Sequence, residues 1–395
     1  MKICFSTLAC PDFTWPEIYS MAKDFNFDGI EVRGLGDELF TVKAQPFTDA
    51  ALPTTINKLN SLGLEIPCLS SDTPISEPSL SDAAFEEISA YAILASKLKV
   101  SYIRVLGDRT PNVTKEVDDA VVISNLKRLV PVAEKYNVTL LIETNGVYSQ
   151  TKRLKNILDT INNDHVAALW DVQHPYRNFG EEPIDTIDNL GNLIKFIHVK
   201  DSTVIDGKLE YRLMGCGDMP LNDIFACLSR INYEGFVSLE WVYRWSHDLC
   251  DAGIVVPHFA AYMTRFKNPK KSSLQVDNRG TGNYIWPKET LIDYTFPDVL
   301  DKVCEEFPNQ YAFRYTELDY TRTYPEFRND VDNFARALIA MGVKKNDHVA
   351  IWATNVPAWF ITFWATTKIG AVLVTVNTAY KIHEAEYLLR QSDTN

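Results

Sequence analysis

One pattern recurs eight times between residues 2 and 242 of this chain: a short apolar, β-branched run that ends in polar residues, then a longer amphipathic stretch. The short runs predict strands. The stretches between them, such as FEEISAYAILASKLK, return apolar residues every three or four positions and predict helices. Strands that are apolar almost throughout and alternate with helices are typical of a parallel sheet covered on both faces. The eight runs are KICFST, GIEVRG, LEIPCLSSD, YIRVLGD, TLLIETN, VAALWDVQH, IKFIHVKD and FVSLEWV.

The number and spacing of these units predict an α/β chain with two parts. Eight strand–helix units in about 250 residues have the size of a (β/α)8 TIM barrel, which we predict for residues 1–266. Residues 267–283 are polar, rich in turn formers and without periodicity, and are predicted to be a linker. Residues 284–395 again show helical patterns, with strand-like runs at DHVAIWA and GAVLVTVN, and form a second predicted α/β unit.

Charge and composition narrow the classes of partner. The 52 acidic and 39 basic residues leave a net charge of −13, so no nucleic-acid partner is expected. Seven scattered cysteines without a CxxC spacing indicate a reducing, cytoplasmic setting. The N-terminus lacks a signal-peptide core, and Lys368 and Gly370 interrupt the membrane-like stretch 358–376. Neither export nor a membrane span is predicted.

Polar residues at the ends of the fifth to eighth predicted strands indicate a shared site. Side chains at the C-terminal ends of barrel strands meet in one mouth. These strands bring Glu143, Asp171, His198 and Glu240 there. Each residue alone is compatible with a helix cap or a hydrogen-bonded core position, but three crowded carboxylates repel one another unless a cation joins them. Oxygen-rich ligation with one imidazole favours Mn²⁺ or Mg²⁺, with Zn²⁺ and Co²⁺ as open alternatives.

The motifs IETN, WDVQHP, HVKD and SLEW occur in this order on the four strands. As an ordered set they resemble the xylose-isomerase-like barrel superfamily of sugar and sugar-phosphate isomerases and epimerases, over about residues 1–265. The resemblance implies a single divalent metal ion held by Glu143, Asp171, His198 and Glu240. It also implies that Glu143 and Glu240 serve both as ligands and as the catalytic acid and base.

Three further positions are candidates for substrate binding. His174, three residues after the aspartate of WDVQHP, matches the substrate-contacting histidine of the superfamily. Arg212, in YRLMGCGD, resembles an arginine before a Gly-x-Gly turn in the loop after the seventh strand, where it contacts hydroxyl or phosphate groups. Glu31 ends the second run and is a candidate for the same pocket.

The implied reaction is proton transfer through an enediolate that the metal stabilises, with a small sugar or polyol as substrate. Return of the proton to the same carbon gives an epimerase and return to the adjacent carbon an isomerase. Loss of a neighbouring hydroxyl gives a keto-inositol-type dehydratase. These outcomes stay open, as does a homo-oligomeric state. Phosphorylation of the substrate also stays open, with Arg104, Arg109 and Arg212 as possible phosphate contacts. An inactive barrel scaffold is the alternative outside the enzymes.

Another branch of the superfamily cuts DNA at abasic sites and gathers three zinc ions with additional histidines. The runs CLSSD and IRVLGD and the loop that carries Arg212 lack those histidines. Together with the acidic net charge, this makes DNA repair an unfavoured interpretation.

Residues 284–395 resemble the opening of an AMP-forming acyl-CoA synthetase, from RTYPEF through the N-x-P-x-W motif of Asn355, Pro357 and Trp359 to VNTAY. The phosphate-binding loop of that family, with its lysine, should come later, and the chain holds no counterpart. The segment is therefore predicted to be an incomplete adenylation-type subdomain that cannot activate an acid alone. A truncated fusion is the simplest interpretation and a retained docking unit the alternative; exposed apolar surface is expected of the segment.

Overall fold

All eight apolar runs form strands of one parallel sheet in the computed structural model. The sheet has the order β2-β1-β10-β7-β6-β5-β4-β3. Two isolated parallel bridges, Gly29–Glu65 and Val32–Leu69, connect β2 with β3, so the ring of strands is nearly closed. The predicted (β/α)8 TIM barrel is confirmed. The strands are β1 Lys2–Ser6, β2 Gly29–Glu31, β3 Cys68–Pro74, β4 Tyr102–Leu106, β5 Thr139–Glu143, β6 Val166–Asp171, β7 Ile194–Val199, β8 Asp201–Ile205, β9 Lys208–Arg212 and β10 Phe236–Leu239.

The chain divides into two units, residues 1–268 and residues 269–395. The structure describes residues 1–77, 82–113, 116–266, 293–315, 318 and 320–394. The predicted linker, residues 267–283, lies outside the described residues, as do residues 284–292.

Helices follow the strands of the barrel and cover the sheet. α5 shows why: Leu154, Ile157 and Leu158 are buried at a spacing of three and four residues, which gives the helix one apolar face. It ends at Asn162, whose left-handed φ of 45° is a conformation that asparagine tolerates. The helices are α1 Trp15–Asp24, α2 Leu52–Leu62, α3 Asp82–Leu98, α4 Asp119–Tyr136, α5 Thr151–Ile161, α6 Gln173–Phe179, α7 Pro183–Leu190, α8 Leu221–Arg230 and α9 Ala252–Met263.

The barrel interior is built in layers. An apolar cluster fills one layer, and side chains on a strand return to the same face every second residue. Two residues beyond the cluster members of β5, β6 and β7, the interior therefore receives Glu143, Asp171 and His198, all of them buried. The polar layer thus lies at the C-terminal ends of the strands. The apolar cluster consists of Cys4, Cys68, Leu141, Ala167, Leu169, Phe196 and Phe236.

A hairpin of β8 and β9 follows β7, in place of the loop predicted there. Its strands pair antiparallel, with Asp201 opposite Arg212. Asp206 and Gly207 connect them with φ values of 51° and 76°. Positive φ at both central residues is typical of a tight two-residue hairpin turn. The hairpin carries Tyr211 towards the site described below.

The second unit contains an antiparallel pair, β11 with β12, and a parallel pair, β13 with β14. Both strand-like runs of the sequence are strands here. Leu300, Phe327 and Leu338 belong to its apolar core. The elements are α10 Phe296–Glu306, β11 Tyr311–Tyr315, β12 Tyr320–Thr323, α11 Tyr324–Ala340, β13 His348–Ile351, α12 Pro357–Lys368, β14 Val372–Thr375 and α13 Ile382–Gln391.

The second unit also has large apolar side chains at its surface, as expected from the sequence. Ile382, Met341 and Tyr387 are 78%, 69% and 67% exposed. Among the described residues, no helix combines the length and the apolar character that crossing a membrane requires.

Candidate metal centre

Four strand ends bring Glu143, Asp171, His198 and Glu240 together. Each offers one ligand atom, these atoms lie within 4.8 Å of one another, and all four residues are buried. The sheet register places them: Asp171 on β6 pairs with His198 on β7, which on its other side pairs with Ser238 on β10. Glu143 ends β5, and Glu240 directly follows β10.

The two nitrogens of His198 contact different carboxylates. Nε2 lies 3.1 Å from both carboxylate oxygens of Glu31. Nδ1 lies 3.3 Å from Glu143 Oε1 and from Glu240 Oε1. Burial alone lowers the pKa of His198, but the carboxylates of Glu31 and Glu240 raise this pKa well above its ordinary value. Nδ1 is the nitrogen that faces the cluster and could hold a metal.

Glu31 is fully buried on the Nε2 side of His198. Its carboxylate accepts hydrogen bonds from Ser70 Oγ and Ser238 Oγ, both at 2.6 Å. Burial raises the pKa of Glu31, but His198 and the two serines outweigh this, and the pKa is lowered. The sequence predicted Glu31 as a substrate contact, whereas the structure gives it a position from which it orients the imidazole. A carboxylate that accepts the second N–H of a ligating histidine fixes the tautomer and raises metal affinity.

The variant Glu31→Gln is expected to weaken binding of a divalent metal by about 10- to 100-fold while the protein stays folded. The neutral amide is a poorer acceptor for the Nε2–H of His198. Titration with Mn²⁺ in competition with a chelator measures the affinity. Glu65→Gln, at a side chain that is 56% exposed, is the matched control. Equal affinities for Glu31→Gln and Glu65→Gln would show that Glu31 does not support the metal site.

Lys200 is a fully buried cation in the same cluster. Its Nζ donates to Asp171 Oδ2 and to Glu240 Oε2. Burial lowers the pKa of Lys200, but Asp171 and Glu240 raise it well above its ordinary value. The ammonium group is therefore charged and offsets part of the repulsion among the carboxylates.

Each of the two glutamates of the cluster has a cationic neighbour. Arg104 Nε lies 3.3 Å from Glu143 Oε2. Burial raises the pKa of Glu143, but Arg104 and His198 together outweigh this and the pKa falls to about 2. The pKa of Glu240 is likewise raised by burial, but Lys200 and His198 hold it well below its ordinary value. Both groups are carboxylates at neutral pH and can accept protons.

The donor set fits a divalent cation. Three carboxylates and the Nδ1 of His198 converge in a buried layer. With Glu31 included, four buried carboxylates share this region, and a divalent ion supplies charge that they require. Mostly oxygen donors with one imidazole suit Mn²⁺ and Mg²⁺ and accept Zn²⁺.

A cavity of about 280 Å³ opens beside the cluster. Glu143 and Glu240 line it together with Lys200, Arg104 and His174. Two of the predicted ligands therefore also face the space where a small molecule would lie. Further lining residues are Arg33, Leu106, Arg109, Pro111, Asn145, Tyr211, Val242 and Trp245.

The predicted substrate contacts occupy different positions. His174, on α6, lines the cavity, and its Nδ1 lies 3.1 Å from the carbonyl oxygen of Thr144. Because a carbonyl only accepts, Nδ1 carries the proton and Nε2 stays available to a ligand. Arg212 contacts Glu210, and its side chain is 38% exposed. Neighbouring residues of a strand face opposite sides, and it is Tyr211 that lines the cavity.

Two positions at the site were missed by reasoning from the sequence: Lys200 and Arg33. Lys200 had a usable signal, because it lies two residues after His198 and shares the inward parity of its strand. Arg104, which the sequence offered as a possible phosphate contact, lies two residues after Tyr102 and faces inward in the same way. A charged residue at an inward position of a barrel strand is costly unless it serves the site.

Comparison with known families assigns the two parts of the chain separately. The family model of the xylose isomerase-like TIM barrel matches residues 20–256, which is more than half of the chain. The model of the AMP-binding enzymes matches residues 300–395.

The C-terminal segment is similar to acyl-CoA synthetases. It is 45% identical over 103 residues to the putative acyl-CoA synthetase YngI of Bacillus subtilis, covering 26% of this chain and 19% of that protein. It is 34% identical over 101 residues to the mitochondrial medium-chain acyl-CoA ligase ACSF2 of Danio rerio, covering 26% of this chain and 17% of the relative. The chain thus spans about a fifth of the length of these curated relatives.

Solved structures share the fold of the barrel. The probable 3-DHS dehydratase AsbF from Bacillus anthracis is 19% identical with a TM-score of 0.55, covering 67% of this chain and 99% of that one. The IOLI protein with bound zinc is 18% identical with a TM-score of 0.55, covering 67% and 97%. D-Allulose 3-epimerase from Methylomonas sp., in complex with D-allulose, is 15% identical with a TM-score of 0.53, covering 67% and 96%. By the extent of the family match, this chain belongs to the xylose isomerase-like TIM barrel family.

Proposed function

We propose that the barrel is a divalent-metal-dependent isomerase or epimerase that moves a proton on a carbon next to the carbonyl group of a small sugar or polyol. One observation carries the proposal: Glu143 and Glu240 belong to the metal-ligand cluster and also line the cavity. A divalent cation held by Glu143, Asp171, His198 and Glu240 would stabilise the negative charge that develops on the substrate oxygens.

The two glutamates supply the proton transfer. They come from β5 and from the end of β10, with β6 and β7 between them in the sheet. Both pKa values are lowered, so both groups are ionised and either can accept the proton from carbon. The proton is then returned by the same glutamate, now protonated, or by the other glutamate after it has taken a proton from solvent. His174 faces the cavity with Nε2 available to bind a substrate hydroxyl.

A dehydratase is the second candidate. His174 also lines the cavity, and in its imidazolium form Nε2–H can deliver a proton to a departing hydroxyl group. Loss of hydroxide from the carbon next to an enediolate requires such a proton donor. The structures of similar fold include a probable dehydratase as well as epimerases. For the C-terminal segment, the inability to activate an acid alone stays a prediction.

Incubation of the full-length protein with Mn²⁺ in deuterated water tests both candidates. The panel contains ketoses, keto-inositols and their phosphate esters. Deuterium that enters a carbon next to the carbonyl identifies the substrate and the isomerase or epimerase step, whereas release of water identifies the dehydratase. A metal-loaded protein that exchanges no proton with any member of the panel would contradict the proposal and favour a barrel without catalysis.

Metal analysis of purified variants tests the ligand set independently of activity. Asp171→Asn is expected to lose stoichiometric metal, since a carboxylate ligand becomes a neutral amide. Asp164→Asn is the matched control, because Asp164 is exposed and precedes the same strand. Unchanged metal content in Asp171→Asn would refute the proposed centre.

A further inference from the structure

Two arginines that the proposed reaction does not use line the same cavity. Arg33 follows β2, Arg104 is on β4, and both line the cavity. The side chain of Arg104 is 1% exposed and that of Arg33 is 12% exposed. Burial, and then the like charge of Arg104, lowers the pKa of Arg33 to about 10. Two guanidinium groups in one desolvated space repel each other unless an anion lies between or beside them.

The arginines also retain unused hydrogen-bond donors. Nη1 of Arg104 and Nε of Arg33 are buried and find no hydrogen-bond acceptor among the described residues. Nε of Arg104 forms the ion pair with Glu143 but no hydrogen bond. Leaving a buried charged donor without an acceptor is costly. An anionic group with several oxygens would satisfy these donors, since the planar guanidinium matches carboxylate and phosphate groups in two-pronged geometry.

The charges around the cavity support an anion as well. Glu31, Glu143, Asp171 and Glu240 contribute four buried negative charges. Arg33, Arg104 and Lys200 contribute three positive charges. A bound divalent cation contributes two more, and His198 contributes none because a histidine that ligates a metal is neutral. About one positive charge is left in excess. Asp72, the partner of Arg33, is left out of this balance because its side chain is 44% exposed and its charge is screened by water.

We infer that the substrate of the barrel carries a fixed negative charge, on a carboxylate or a phosphate group, which Arg104 and Arg33 bind. This deepens the proposed function and rests on it. The substrate class is therefore a keto sugar acid or a keto sugar phosphate rather than a neutral ketose. Arg104 also contacts Glu143, so the anionic group lies close to the carbons between which the proton moves.

Binding measurements on the full-length, Mn²⁺-loaded protein test the inference separately from catalysis. Isothermal titration compares neutral ketoses with keto acids of the same carbon skeletons and with the phosphate esters of those ketoses. At least one anionic series is expected to bind about 10- to 100-fold more tightly than its neutral counterpart, the range given by charge-assisted hydrogen bonds. A keto-acid preference identifies the carboxylate, and a preference for the esters identifies the phosphate.

Variants assign the preference to the two arginines. Arg104→Gln is expected to remove most of the anion preference. Arg33→Gln is expected to lower the same preference, and because its side chain is closer to solvent it provides the test if Arg104→Gln does not fold. Arg230→Gln on α8, with a side chain 63% exposed, is the matched control and should keep the preference. Equal binding of neutral and anionic ligands, binding by none of the anions, or an unchanged preference in both cavity variants would overturn the inference.

Failure of the inference and failure of the proposed function give different results. Tight anion binding without deuterium exchange overturns the proposed reaction and supports anion recognition. Deuterium exchange on neutral ketoses, with no gain for the anions, overturns anion recognition and leaves the proposed reaction standing.

Discussion

Glu240→Gln lowers the rate of deuterium exchange by about 10²- to 10⁴-fold, the range that a positioned acid or base contributes. The amide oxygen is a weaker metal ligand, which saturating Mn²⁺ compensates, but it cannot accept or return a proton at the cavity that Glu240 lines. Exchange into the substrate is followed by mass spectrometry at saturating Mn²⁺, with the metal content of each sample measured in parallel.

The control for this variant lies in the same segment of the chain. Glu234→Gln changes an exposed residue that precedes β10 and is expected to exchange at the unmodified rate. A Glu240→Gln protein with full metal occupancy and an undiminished exchange rate would show that Glu240 is a ligand without a role in proton transfer.

Lys200→Met destabilises the metal-free barrel by about 3–5 kcal/mol, the cost of removing one partner from a buried ion-pair cluster. Asp171 and Glu240 then lose the ammonium group that both contact. A divalent cation supplies the missing charge, so metal restores most of the lost stability. The difference between chelated and Mn²⁺-loaded protein is therefore larger in the variant than in the unmodified chain.

Hydrogen exchange of peptides from β5 to β7, measured across a urea series, reports the stability of the barrel separately from the second unit. Lys195→Met is the matched control, since Lys195 lies on the same strand as His198 and is exposed. An equal loss of stability with and without metal would show that Lys200 acts by packing and not as a counter-charge.

The sequence was most informative where a local pattern repeats. The recurring apolar runs predicted all eight barrel strands, and their polar ends brought Glu143, Asp171, His198 and Glu240 to one mouth. Once the ring of strands closes, these four side chains come together, because the parallel strands of a barrel end at the same rim.

The same reasoning was less informative where it had to predict which of two neighbouring residues faces the cavity. The loop after β7 pointed to Arg212, but it folds as a hairpin, and alternation along β9 turns Tyr211 to the cavity and leaves Arg212 beside Glu210. Which of the two residues faces inward depends on the segment being a strand. The sequence indicated only a loop with a Gly-x-Gly turn, so this alternation could not be predicted.

The sequence by itself determined the strand–helix alternation, the polar ends of the strands and the set of ligand types, because these depend on residues close together in the chain. Only the tertiary structure decided which charges share a space. Glu31 reaches His198 across 167 residues. Arg33, which follows β2, lines the same cavity as Arg104 on β4. Such contacts arise when the barrel closes, and the free energy of a buried charge depends on all of its neighbours at once.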